Sequence, residues 1–108
     1  MSEELKKLAA DVGNELKKSN LKLTTAESCT GGGLGFWITS IAGSSDWFER
    51  GFVTYSNAAK MEMLGVSENT LDTTGAVSEE TAREMAEGAL KNSKADISIA
   101  VTGIDRKS

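Results

Sequence analysis

Three short apolar or β-branched segments, set between helix-like ones, constrain this chain more than any other feature. They are Leu21–Thr25, Phe48–Tyr55 (strongest over Phe52–Tyr55) and Asp96–Val101 (strongest over Ile97–Val101). Strands of this length separated by helices of ten or more residues favour a layered α/β arrangement. The helical segments have recognisable ends. Leu5, Leu8, Ala9, Val12 and Leu16 recur at helical spacing, with Ser2 as N-cap and Asn20 as the stop. Leu34–Ile41 reads as an apolar helix. Asn57 is placed to cap a helix ending at Leu64, with Gly65 just beyond. Ser67 caps a short turn to Leu71. Ser78 caps Glu79–Lys91, whose core face is expected to be Ala82, Met85, Ala86, Ala89 and Leu90. The order α-β-α-β-α-α-β predicts an α/β fold, a three-layer-type sandwich with a small, mainly parallel or mixed sheet. At 108 residues the chain, 1–108, is expected to be a single domain.

Composition narrows the chemistry. There is no histidine, so the commonest general base and metal ligand is missing, and no metal or cofactor is expected. Cys29 is the one cysteine, which excludes an internal disulfide. The formal net charge of −4 argues against direct nucleic-acid binding. No run approaches the ~18 apolar residues of a membrane span. Met1–Leu8 is charged and lacks the apolar core of a signal peptide, so a cytoplasmic location is expected.

Two segments can carry chemistry. In Thr25-Ala26-Glu27-Ser28-Cys29-Thr30-Gly31-Gly32, a serine follows a strand and precedes a glycine-opened helix. Helix-start N–H groups near Gly31 can hold an oxyanion or a phosphate, as ligands collect at the carboxyl ends of such strands. The plainer alternative is a tight turn with Ser28 as a cap. Glu27 can orient a neighbour, meet a ribose or form a salt bridge. Gly31-Gly32-Gly33-Leu34-Gly35 fits neither a dinucleotide fingerprint nor a Walker A loop. In the second segment, Tyr55 and Ser56 end a strand and Lys60 lies one helical turn further on. Lys60 is either an ordinary solvated lysine or, if desolvated, a base. Cys29 reads as a small packed residue. Thr102-Gly103 ends the third strand and can line the same edge.

Taken in order, Thr24–Gly32, Ile41–Ser45 with Trp47-Phe48, Gly51–Asn57 with Lys60, Gly75–Ser78 and Val101–Ile104 resemble the CinA C-terminal domain family. The family includes deamidases that hydrolyse the carboxamide of nicotinamide mononucleotide to nicotinate mononucleotide and ammonia. It also includes proteins described as competence- and damage-inducible. The resemblance implies Ser28 as nucleophile, Lys60 as its base and Tyr55 assisting. It places Glu27, Thr30, Gly31, Gly32, Ser44, Asn57, Thr102 and Gly103 at the substrate. Family members continue past this point with further strands and a helix, so the resemblance implies a domain cut short after Ile104. That leaves two expectations: an amidohydrolase of the pyridine nucleotide cycle, or an inactive nucleotide-binding or interaction module. A homo-oligomer, with a dimer favoured, is expected as well. An apolar third strand would present an open edge, and Leu34, Phe36, Trp37 and Ile38 make too wide an apolar run for one core stripe.

Overall fold

The computed structural model describes residues 3–103. Ser2 and Ile104–Ser108, to which the first cap and the early end were ascribed, lie outside them. Helix α1 (Glu3–Lys18) is followed by β1 (Leu23–Glu27), α2 (Gly33–Thr39), a 3-10 turn (Ser44–Asp46) and β2 (Phe48–Val53). Then come α3 (Asn57–Leu64), α4 (Glu68–Thr74), α5 (Glu79–Lys91) and β3 (Ile97–Val101). The sheet order is β2-β1-β3, and both pairings are parallel.

Every residue of β1 is buried, because helices cover both of its faces. On one face Leu16, Leu23, Ile38 and Trp47 form a cluster that joins α1 and α2 to the sheet. On the other, Ala26 packs with Leu64, Val66, Leu71, Met85 and Ala89 from the α3–α5 side. The α/β/α layering therefore matches the expectation, and the sheet is wholly parallel.

Several boundaries differ from the sequence reading, each for a local reason. β1 starts at Leu23 because the Leu21 N–H still bonds the Leu16 carbonyl and the Lys22 N–H bonds the Asp96 carboxylate. β2 ends at Val53, leaving Thr54 and Tyr55 past the strand. Ser56, not Asn57, caps α3, since its hydroxyl accepts from the Ala59 N–H. Gly65 stops that helix in the left-handed region (φ 70°), as expected. α4 runs on to Thr74. α5 has the expected ends, but its buried face is Thr81, Met85, Gly88 and Ala89, whereas Leu90 is exposed. The rotation follows from Gly88: a Cβ there would lie 1.9 Å from the Leu64 carbonyl oxygen, so a glycine sets the α3–α5 contact. α1 behaves similarly. It meets the core through Gly13, pressed on Trp47, and Leu16, while Leu5, Leu8 and Val12 stay largely exposed.

Candidate active site

Most of the candidate residues collect at one edge of the sheet. The chain leaves β1 for α2 on one face and leaves β2 for α3 on the other. Ligands of α/β sheets bind outside the carboxyl ends of the strands. Glu27 and Ser28 stand at the end of β1. Thr54, Tyr55 and, one turn into α3, Lys60 stand at the end of β2. The two edges are tied together: the Thr54 N–H donates to the Glu27 carbonyl at 2.8 Å. On the far side the Ser28 N–H donates to the Val101 carbonyl at 3.1 Å, which brings the end of β3 alongside.

The glycine turn does something the sequence reading missed. Glu27 is 1% exposed. Its carboxylate accepts the Thr30 hydroxyl and the N–H groups of Gly32 (3.2 Å), Leu34 (3.0 Å) and Gly35 (2.8 Å). Gly31 and Gly32 take positive φ (56° and 102°), which lets the chain wrap around the acid. Three of these donors converge on Oε1 and one on Oε2. Burial alone would raise the Glu27 pKa, but the Thr30 hydroxyl and the Gly35, Leu34 and Gly32 N–H groups outweigh it and hold the group below its usual value. The expected salt bridge is corrected accordingly: among the described residues Glu27 has no cationic partner, and a ribose would compete with four donors already in place.

The remaining N–H groups of the turn can be followed one by one. Gly31 donates to the Ser28 carbonyl and Gly33 to that of Thr30. Those of Gly31 to Gly35 are thus all engaged, which corrects the expectation that donors near Gly31 are open to an oxyanion. Cys29 and Thr30 N–H have no acceptor among the described residues.

Lys60 is not a solvated lysine. It is 1% exposed. Its Nζ has one acceptor among the described residues, the Tyr55 carbonyl at 3.4 Å, and no carboxylate. Burial pushes its pKa below the ordinary lysine value, with Cys29 acting in the opposite direction. Placement on the Ser28 side follows from the core: Leu64, one turn further along α3, packs in the same cluster as Ala26, two residues before Ser28. Among the described residues no hydrogen bond joins the Ser28 hydroxyl to Lys60. Ser28 is itself buried, and Tyr55 is exposed.

The other expected residues divide. Thr30, Gly31 and Gly32 lie in the turn; Asn57 is exposed at the start of α3. Gly103 sits against Cys29, where an added Cβ would come within 3.2 Å of Sγ. Thr102 Oγ1 donates to the Ala76 carbonyl at 2.7 Å, which ties the end of β3 to the loop before α5. Ser44 is not brought to this edge. The Trp47 carbonyl accepts from the Leu23 N–H, and Trp47 N–H bonds Ser44, so Ser44 belongs to the amino end of β1. The length of β1, roughly 15 Å at about 3.3 Å per residue, separates it from Ser28. Thr54, fully buried and holding the Glu27 carbonyl, was overlooked; a threonine directly after a strand carries no distinctive pattern.

Residues 5–105 match the family model for the CinA C-terminal domain. The chain belongs to the CinA C-terminal domain family. It is 57% identical over 101 residues to a nicotinamide-nucleotide amidohydrolase, PncC, of Escherichia coli (strain K12), covering 94% of this chain and 61% of the relative. A putative competence-damage inducible protein of Symbiobacterium thermophilum is 56% identical over 93 residues, 86% of this chain and 22% of that protein. Among solved structures, a competence/damage inducible protein from Agrobacterium tumefaciens superposes with a TM-score of 0.93 at 49% identity. That superposition covers 96% of this chain and 63% of the other. The chain thus spans about three fifths of the length of the amidohydrolase relatives it matches. Among the described residues no helix is long and apolar enough to cross a membrane.

Proposed function

We propose that this chain is the catalytic module of an amidohydrolase acting on the carboxamide of nicotinamide mononucleotide, with Ser28 as nucleophile and Lys60 as base. The observation that carries the reading is Lys60: a lysine 1% exposed, without a carboxylate among the described residues, one turn into the helix that follows β2, the strand paired with the one ending just before Ser28. An unpaired buried ammonium is costly, so burial lowers the Lys60 pKa and makes its proton easier to give up, which a base must do. The nicotinamide-nucleotide amidohydrolases it resembles supply the substrate class.

In this mechanism Ser28 Oγ attacks the carboxamide carbon as Lys60 takes the hydroxyl proton. The oxyanion is held by the Cys29 and Thr30 N–H groups. Collapse expels ammonia, with Lys60 returning the proton, and leaves an ester on Ser28. Water, deprotonated by the same amine, cleaves that ester to the nicotinate nucleotide. Tyr55 assists from the end of β2, and the nucleotide lies over Thr30, Gly31, Gly32, Asn57, Thr102 and Gly103. The same reading places the protein in the pyridine nucleotide cycle of the cytoplasm, as a dimer that covers the apolar β3 side.

Ammonia release from nicotinamide mononucleotide tests it, measured for the chain, Ser28→Ala and Lys60→Ala. Turnover by the chain and its loss in both variants are expected; a wild-type rate in Ser28→Ala refutes the mechanism. Because no hydrogen bond joins the Ser28 hydroxyl to Lys60 among the described residues, a nucleotide-binding module without turnover is the second reading. Calorimetric binding of the nucleotide with no ammonia released would favour it.

A further inference from the structure

We infer that Glu27 is a positioning residue: its carboxylate occupies the anion position of the glycine turn permanently, and so fixes Ser28 without touching substrate. The inference rests on the reading of Ser28 as the nucleophile.

Glu27 is held from two sides. Its main chain is fixed by β2, where the Thr54 N–H and Oγ1 both reach its carbonyl, at 2.8 and 3.3 Å. Its side chain is fixed by the start of α2, through Gly32, Leu34 and Gly35. Ser28 is the next residue, and its own N–H and carbonyl are engaged by Val101 and Gly31. The turn that carries the hydroxyl is thus closed around a charge belonging to the protein. Gly35 lies directly beside that charge: a Cβ added there would meet Oε2 at contact distance, 3.4 Å. Two consequences follow. A substrate phosphate must find donors elsewhere than the start of α2. Second, the open N–H groups of Cys29 and Thr30 are oriented by the same clamp that orients Ser28, because they lie between its two ends. Misplacing reacting groups by about 1 Å costs on the order of 100-fold in rate, so a clamp of this kind acts on chemistry rather than affinity.

Glu27→Gln keeps the size but sets an amide N–H₂ against backbone donors. The first readout is the rate at which a small serine-directed fluorophosphonate labels Ser28 in this chain, with Ser28→Ala as the blank. The second is the amide NMR shift of Gly32, Leu34 and Gly35 during an acid titration. Wild type is expected to label at Ser28, with the three amides titrating together. In Glu27→Gln, with near-ultraviolet circular dichroism retained, the amide titration should vanish and labelling should slow by about 10-fold or more. Glu27→Asp, which keeps the charge but draws it one methylene back from the Gly32, Leu34 and Gly35 donors, should slow labelling in the same direction and serves if Glu27→Gln does not fold. Wild-type labelling in both folded variants overturns the positioning role while leaving Ser28 as nucleophile. Amides that do not titrate in wild type overturn the clamp itself. Absence of Ser28 labelling in wild type removes the nucleophile reading, and the inference falls with it.

Discussion

Replacing Lys60 with methionine is expected to stabilise the fold while abolishing turnover. Methionine preserves most of the volume of the lysine stem. What it removes is an amine with three donors and one acceptor, at 3.4 Å, the long end of hydrogen-bond distances. Exchanging a poorly satisfied buried charge for an apolar group is worth about 1–4 kcal/mol. The low end, about 1–2 kcal/mol, applies here, because Lys60 can discharge part of the penalty by losing its proton. In a domain of this size that raises Tm by roughly 4 °C or more. The sign with pH is fixed. The folded pKa lies below the unfolded value of about 10.4, so between the two the unfolded chain binds more protons and wild-type stability rises with pH. Below the folded pKa the penalty is present in full. The advantage of Lys60→Met should therefore be largest below the folded pKa and shrink as pH rises towards about 10. Urea unfolding at several pH values reads this directly. A variant destabilised by about 1 kcal/mol or more would show that Lys60 is held by structural partners, and the argument for a base would collapse with it.

The acid limb of stability should belong to Glu27. Its folded pKa is lowered, so its contribution is present above the usual carboxyl value and lost as pH falls through the folded one; Glu27→Gln should flatten that limb in pH-dependent melts. Gly88→Ala would place a methyl 1.9 Å from the Leu64 carbonyl oxygen and should cost about 3 kcal/mol, read as a lower urea midpoint. An unchanged midpoint would mean that α3 and α5 can separate freely. Sedimentation at micromolar concentration should give twice the chain mass, because Ile97 and Ile99 of β3 and Leu5, Leu8 and Val12 of α1 are all at least 38% exposed. A monodisperse monomer would count against the dimer.

Element type and order could be read from the chain because caps and periodicity act locally. Ser67 and Ser78 do in the structure what their positions promised, each accepting the N–H three residues on. Helix faces were harder. The apolar stripe suggested Leu5, Leu8 and Val12 for α1 and Leu90 for α5, yet the contacts were decided by Gly13 and Gly88, which a hydrophobic pattern does not register. The site shows the same division. Ser28 and Lys60 were named from their places after strands, and the sheet puts both at its carboxyl edge. Ser44 was named from resemblance alone, and the single chain keeps it at the opposite end. Glu27 had drawn notice for its charge, but apart from the Thr30 hydroxyl its partners are backbone donors of two glycines and a leucine, and such donors leave no mark in a sequence.

Two buried ionisable residues stand at the end of β1 and past that of β2, and their environments differ. Glu27 and Lys60 are each 1% exposed, and nothing in the sequence forbids them from forming a buried ion pair. Had they paired, lysine would have been held in its charged form and would be useless as a base near neutral pH. Instead the glycine turn supplies Glu27 with four donors, and among the described residues no salt bridge reaches it. Satisfied in this way, the carboxylate stays ionised without a cation, and Lys60 is left with burial as the largest influence on its proton. Environments that push the pKa values of two groups in the directions their roles need are the means by which acid–base roles are allotted in active sites. Here the glycines that first suggested a ligand cradle serve that end: they remove the one buried carboxylate at this edge from competition for the amine.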